Sequence, residues 1–166
     1  MDTLKKEFDE IVKLCEEKVE EYGEGASYFM EPATEEELLE WEGETGIQIP
    51  EDYREWLKLT GNCQMCSNIA SLVFPELDQP DFIPEDYVLI GYVVGDGEVL
   101  CFSKTSGKYI RFFEGKVNRE YNDIIEFLKN IKSNIKGELP KINLTEEKIQ
   151  KMLAELEKME KERQNK

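Results

Sequence analysis

The 166-residue chain contains no histidine. That absence removes Ser-His-Asp and Cys-His nucleophilic sites, most zinc hydrolase ligand sets and the commonest general base together. Cysteine is scarce as well: four residues, Cys15, Cys63, Cys66 and Cys101, do not make a disulfide framework and fit a reduced compartment. No apolar run approaches the roughly 20 residues that a bilayer span needs. The amphipathic, charged start MDTLKKEFDEIVKLCEEKVEEY is not a signal peptide, so a cytoplasmic protein is expected. Positive charge is also short, with 21 basic against 37 acidic residues and a net charge of −16. Seven of the basic and six of the acidic residues lie in 141–166, which leaves the first 140 residues at −17. Such an excess repels phosphate backbones and anionic membranes, so neither is an expected partner. It attracts a basic protein and speeds encounter with one. An acidic surface that only keeps the protein soluble is the plain alternative.

What is present supports one globular domain over 1–140 and a charged amphipathic helix over 141–166. Hydrophobic residues make up 40% and aromatics 10%, enough for a buried core. The organising stretch is ATEEELLEWEGETGIQIPEDYREWLKLTG, residues 33–61. Thr34 with Glu37 forms a capping box, and Gly46 suits the left-handed close of that helix. Ile47 and Ile49 make a short extended link. Pro50 then occupies the first position of a second helix, where a missing N–H costs nothing. Glu51 and Asp52 favour its dipole, and Tyr53, Trp56, Leu57 and Thr60 mark its buried face as far as Gly61.

Around this elbow, Leu4, Phe8, Ile11, Cys15, Val19 and Tyr22 predict one helix over 2–22. Ile69–Phe74, Tyr87–Val94, Glu98–Ser103 and Lys108–Phe113 predict strands, the last three forming an antiparallel meander. The intervening PELDQPDFIPEDY reads as an irregular connection. Tyr121, Ile124, Ile125, Leu128, Ile131 and Ile135 predict a closing helix. The order is α+β: N-terminal helices, an antiparallel meander sheet and C-terminal helices. In the tail, Ile149, Met152, Leu153, Leu156 and Met159 form a stripe too short for a coiled coil. Docking of that stripe on the sheet is the expected arrangement, with pairing to a partner helix or fraying beyond Met159 as the alternatives.

Few residues suggest chemistry. Cys63-Gln64-Met65-Cys66 is a C-x-x-C pair, but a four-thiolate zinc site needs a second pair, and Cys15 and Cys101 stand alone in sequence. A thioredoxin-type site would open a helix, whereas this pair follows one. A small buried pair is the expected reading, with metal or redox use as the alternative. Gly91, Gly95 and Gly97 fall in a hairpin with no helix behind them to hold phosphate, so they are turn residues. No catalytic residue, metal or cofactor is assigned. Candidate partner contacts are the carboxylates of Glu36, Glu37, Glu40, Glu44, Glu51 and Asp52. Trp41 joins them, because it lies off the strict stripe of its helix and is expected to be exposed. Tyr53 and Trp56 belong to the core.

The run Leu38–Glu42, then Gly46-Ile47-Gln48-Ile49-Pro50-Glu51-Asp52-Tyr53 and Trp56-Leu57, resembles the N-terminal signature of the SUKH superfamily. The hairpin Ile90-Gly91 … Gly95-Asp96-Gly97-Glu98-Val99-Leu100-Cys101-Phe102 and Phe127-Leu128-Lys129 extend the resemblance over roughly 30–135. The order Gly61-Asn62 and the presence of Ser103 depart from the usual Asn-Gly step and acidic strand end. The resemblance implies an α+β fold and a non-enzymatic immunity protein. Such a protein binds and neutralises a cognate toxin domain, here a basic one such as a nuclease, as a monomer or weak homo-oligomer. Other relatives resemble regulatory scaffolds, which makes an interaction scaffold acting through the tail helix the rival reading. An acid-catalysed enzyme is a third.

Overall fold

The computed structural model describes residues 2–67, 69–93, 97–137 and 146–164. Six helices and seven strands follow in the order α1 (Asp2–Glu17), α2 (Val19–Tyr22), β1 (Tyr28–Phe29), α3 (Glu35–Thr45), α4 (Glu51–Leu57), β2 (Cys63–Met65), β3 (Ala70–Leu72), β4 (Tyr87–Val93), β5 (Glu98–Ser103), β6 (Tyr109–Phe113), β7 (Lys116–Tyr121), α5 (Ile124–Ile135) and α6 (Glu146–Gln164). The strands form one sheet in chain order, and every neighbouring pair is antiparallel. The α+β meander is therefore present, and wider than the sequence suggests.

The elbow forms as its residues dictate. Thr34 accepts from the Glu37 amide while Glu37 accepts from the Thr34 amide, and Gly46 closes α3 at φ 69°. Pro50 sits one place earlier than expected, as the residue before the first turn of α4. That helix ends at Leu57, and Lys58–Leu59 turn the chain. Thr60 is fully buried and donates to the Met30 carbonyl at 2.9 Å. Gly61 is required by close approach, since a Cβ there would lie 2.8 Å from the Glu31 carbonyl oxygen.

Three strands escape the sequence pattern. β1 and β2 are two and three residues long, too short for a period-two signal. β7 is exposed along its length except at Tyr121, so it carries no apolar alternation. Lys108–Phe113 is therefore not the last strand. Tyr121 closes β7 instead of opening the final helix, which starts after Asp123, whose side chain accepts from the Glu126 amide at 2.8 Å. At the N-terminus the single helix expected over 2–22 breaks at Lys18 into α1 and α2.

Both faces of the central strands β4, β5 and β6 are covered. Val88, Ile90, Val93, Leu100, Phe102, Tyr109 and Tyr121 join the main core with α1, α3, α4 and α5. Leu89, Val99, Cys101 and Phe112 pack on the opposite face with Ile83 and Tyr87. The Pro-rich connection is thus a cover, pinned where Gln79 accepts from the Leu89 amide at 2.7 Å and Asp86 accepts from the Ser103 hydroxyl at 2.6 Å. Two-sided burial explains why Tyr87–Val93 reads as continuously apolar. Beside the bulge in β4, a Cβ on Gly91 would sit 2.2 Å from the Ser71 carbonyl oxygen, so only glycine lets β3 and β4 approach. In the expected Gly95-Asp96-Gly97 turn, only Gly97 lies within the described residues, at φ 82°.

The tail differs from expectation. Ile149, Met152, Leu153, Leu156 and Met159 are between 40% and 63% exposed, so the stripe of α6 does not dock on the sheet. Residues 141–145, the first part of the helix expected over 141–166, fall outside the described residues.

Candidate partner-binding groove

The outer face of α3 and the chain leaving β3 enclose a groove of about 640 Å³. Trp41, Phe74, Pro75 and Leu77 supply its apolar surface, and Glu37, Glu40, Glu44, Glu76 and Asp78 supply carboxylates. Helical spacing makes one wall: Glu37, Glu40, Trp41 and Glu44 recur at intervals of three and four. Two attachments fix that wall. Trp41 is only 4% exposed, and its indole N–H donates to the Glu76 carbonyl at 3.3 Å, tying α3 to the opposite wall. Trp41 is therefore not the exposed contact expected from its position off the stripe. Its ring is turned inward, because the connection after β3 supplies both cover and an acceptor.

The second attachment is Arg54, a residue that sequence reasoning passed over. From α4 it reaches Glu35 at 2.6 Å and Glu42 at 2.5 Å, spanning two turns of α3. Glu42 also accepts from the Ile49 amide at 3.0 Å, and Lys58 pairs with Glu35 at 3.0 Å. These two acids are paired with cations within the elbow. Glu40, Glu44, Glu76 and Asp78 take part in none of the ion pairs among the described residues. Glu37 is partly committed, since hydrogen bonds from the Thr34 backbone and hydroxyl hold its carboxyl below the usual range.

The remaining candidates separate. Glu36 and Glu51 are exposed but do not line the groove. Asp52 points into the fold. Its Oδ1 accepts from the Tyr109 hydroxyl at 2.6 Å and the Tyr53 amide at 3.0 Å, and its Oδ2 accepts from the Ile124 amide at 2.8 Å. One carboxylate thereby joins α4 to β6 and to the first turn of α5. Burial pushes the Tyr109 phenol far up, and the neighbouring Asp52 carboxylate adds to that shift. Asp52 leaves little capacity for a partner.

Chemically, the groove offers acceptors on an apolar floor and no cation of its own among the lining residues. Those features suit lysine or arginine side chains whose aliphatic stems pack on Phe74 and Leu77. Glu76, Leu77 and Asp78 lie in PELDQPDFIPEDY, where the alternation of acids and apolar residues was the available signal. No helix among the described residues is long and apolar enough to cross a membrane.

Comparison with known proteins agrees with this architecture. The chain is 34% identical over 68 residues to the uncharacterized protein YnaB of Bacillus subtilis (strain 168). That stretch is 39% of this chain, and it spans 47% of that relative's length. The family model for the SMI1 / KNR4 family (SUKH-1) matches residues 32–130, from just before the capping box of α3 into α5. The match covers both helices of the elbow, the strands from β2 to β7 and the groove between them, and the chain accordingly belongs to the SMI1 / KNR4 family (SUKH-1).

Proposed function

We propose that the chain is a cytoplasmic bacterial immunity protein that binds a basic, intracellularly acting toxin domain, such as a nuclease, and neutralises it without catalysis. Membership of the SUKH-1 family supports a protein-binding role, and the acidic groove between α3 and residues 74–78 carries the choice of partner. A nuclease needs cations where its substrate phosphates lie. Glu40, Glu44, Glu76 and Asp78 would occupy those cations and exclude the substrate, while the apolar floor adds contact area. Glu37 adds a partly committed carboxylate to that centre, and Glu36 and Glu51 are exposed acids outside it.

Co-expression of the toxin domain from the neighbouring gene with this chain should restore growth. The triple variant Glu40→Lys, Glu44→Lys, Asp78→Lys should lose protection while melting as the parent does. Protection that survives in the triple variant places the contact elsewhere. Failure to protect against every adjacent toxin would sink the immunity reading itself.

One observation favours a second reading, an intracellular scaffold acting through the tail: the apolar stripe of α6 is exposed. Removing residues 143–166 separates the two. The scaffold loses its partner, and the immunity protein keeps its own.

A further inference from the structure

Cys66 finds its sulfur neighbour in Cys15, 51 residues away in sequence, with the two Sγ atoms 3.9 Å apart and both side chains buried. Cys15 lies near the end of α1, and Cys66 follows β2 directly. Two further features prepare the pair. Cys66 and Ser67 adopt φ of 49° and 58°, a left-handed turn that residues with side chains seldom occupy. The neighbouring loop holds that turn in place: the Cys66 amide donates to the Ser27 hydroxyl at 2.8 Å, and the Ser67 amide donates to the Ala26 carbonyl at 2.7 Å. In addition, a surface pocket of about 290 Å³ opens between α1, α2 and β1, and its lining includes Cys15 together with Val12, Tyr22 and Ser27. Cys15 is thus within reach of a small solute, with Cys66 behind it.

We propose that Cys15 and Cys66 are a reversible dithiol–disulfide pair, oxidised by hydroperoxides that enter this pocket, and that the disulfide staples α1 to the turn after β2. The Cys15 thiolate attacks the terminal peroxide oxygen, the O–O bond breaks, and Cys15 becomes a sulfenic acid as water or an alcohol leaves. The Cys66 sulfur then attacks the Cys15 sulfur, the S–O bond breaks, and a second water leaves. Two thiols and one hydroperoxide give one disulfide, one water and one alcohol, or two waters when the oxidant is hydrogen peroxide. Burial pushes the Cys15 thiol up to about 12, which leaves little thiolate to attack and reserves the pair for sustained oxidant. The C-x-x-C spacing draws attention to Cys63 and Cys66, but the three-dimensional pairing is with Cys15. This inference stands independently of the toxin-binding reading.

The test uses the full reduced chain and hydrogen peroxide, followed by unfolding in an alkylating agent and peptide mapping without reductant. The expected result is a Cys15–Cys66 link that dithiothreitol reverses, accompanied by a rise in Tm of roughly 5–10 °C from the closed loop. A link through Cys63 instead, a link between two chains, or overoxidation of Cys15 with no link would each overturn it. Cys63→Ser should still form the bridge. Cys66→Ser should leave a sulfenic acid on Cys15 that dimedone traps, with no rise in Tm. The map on the unaltered chain decides the matter even where a variant folds poorly.

Discussion

The two helices of the elbow carry acids of the same kind to opposite ends. On α4, Asp52 turns inward and gives both oxygens to amides and a buried phenol. On α3, Glu40 and Glu44 face the groove and join no ion pair among the described residues. The difference lies in what surrounds each carboxylate, because spacing and charge are alike. An acid with internal donors is part of the fold, and an acid without them is available to a partner. Stability and binding should therefore separate on mutation.

The sharpest break in that comparison is Asp52→Ala. It strands the Tyr109 hydroxyl and the Ile124 amide, and loss of these charge-assisted bonds should cost about 3 kcal/mol. Denaturant unfolding measures the cost, and a change under about 1 kcal/mol would show that water replaces the carboxylate. Arg54→Ala should come next, at about 2 kcal/mol, because Glu42 keeps its place against the Ile49 amide but loses its cation. Since Arg54 also sets α3 relative to α4, this variant should weaken partner binding in proportion to its loss of order. Glu40→Gln with Glu44→Gln should do the reverse, leaving Tm within about 2 °C and lowering affinity for a basic domain. A calorimetric titration beside a melting curve reads both quantities.

The separation also explains what the sequence could and could not disclose. Helix signals are local, so the capping box at Thr34 and the left-handed Gly46 were legible from a few residues. The same holds for the three- and four-residue spacing that places Tyr53 and Trp56 in the core. The short strands β1 and β2 were not legible, because two or three residues carry no periodicity and β1 depends on a partner far away in sequence: Phe29 pairs with Cys63. Trp41 was misjudged for the same reason. It joins the main core and its indole reaches the Glu76 carbonyl, contacts that helical periodicity within α3 cannot see. The acids of α3 could be named from charge density, whereas the opposite wall of the groove needed the fold.

Acid should act in opposite directions on carboxyls that have partners within the fold and on those that have none. Hydrogen bonds and cations hold several carboxyls below their ordinary values: Glu10 by Lys132, Glu35 by Lys58, Asp86 by Ser103 and Glu126 by the Asn122 amide. Their folded values lie below the unfolded ones, so their stabilisation is present above the unfolded value and lost as pH falls through the folded value. The net charge of −16 works in the other direction, because neutralising outward acids relieves repulsion. Tm should therefore stay nearly level from pH 8 to roughly pH 5.5, where no histidine is present to titrate, and fall below about pH 4.5. Added salt should raise Tm across that upper range by screening the ionised acids. A Tm indifferent to salt at pH 8 would show that the surface acids do not repel one another appreciably.

The smallest effect on stability belongs to α6. Its apolar residues are 40% to 63% exposed, so its removal uncovers none of the core formed by Leu128, Ile131 and Ile135 of α5. An isolated helix of 19 residues with alternating charges is only marginally stable in water, and its stripe gains order only against another surface. Truncation before Glu146 should therefore shift Tm by less than about 2 °C while lowering helicity in circular dichroism. Should truncation lower Tm by much more, the stripe finds a surface on the body in solution, and the groove beside Trp41 and Leu77 becomes the first place to look for it. If Tm holds but the helical signal of the intact chain rises with concentration, the surface is a second chain. The groove would then remain free for a basic partner.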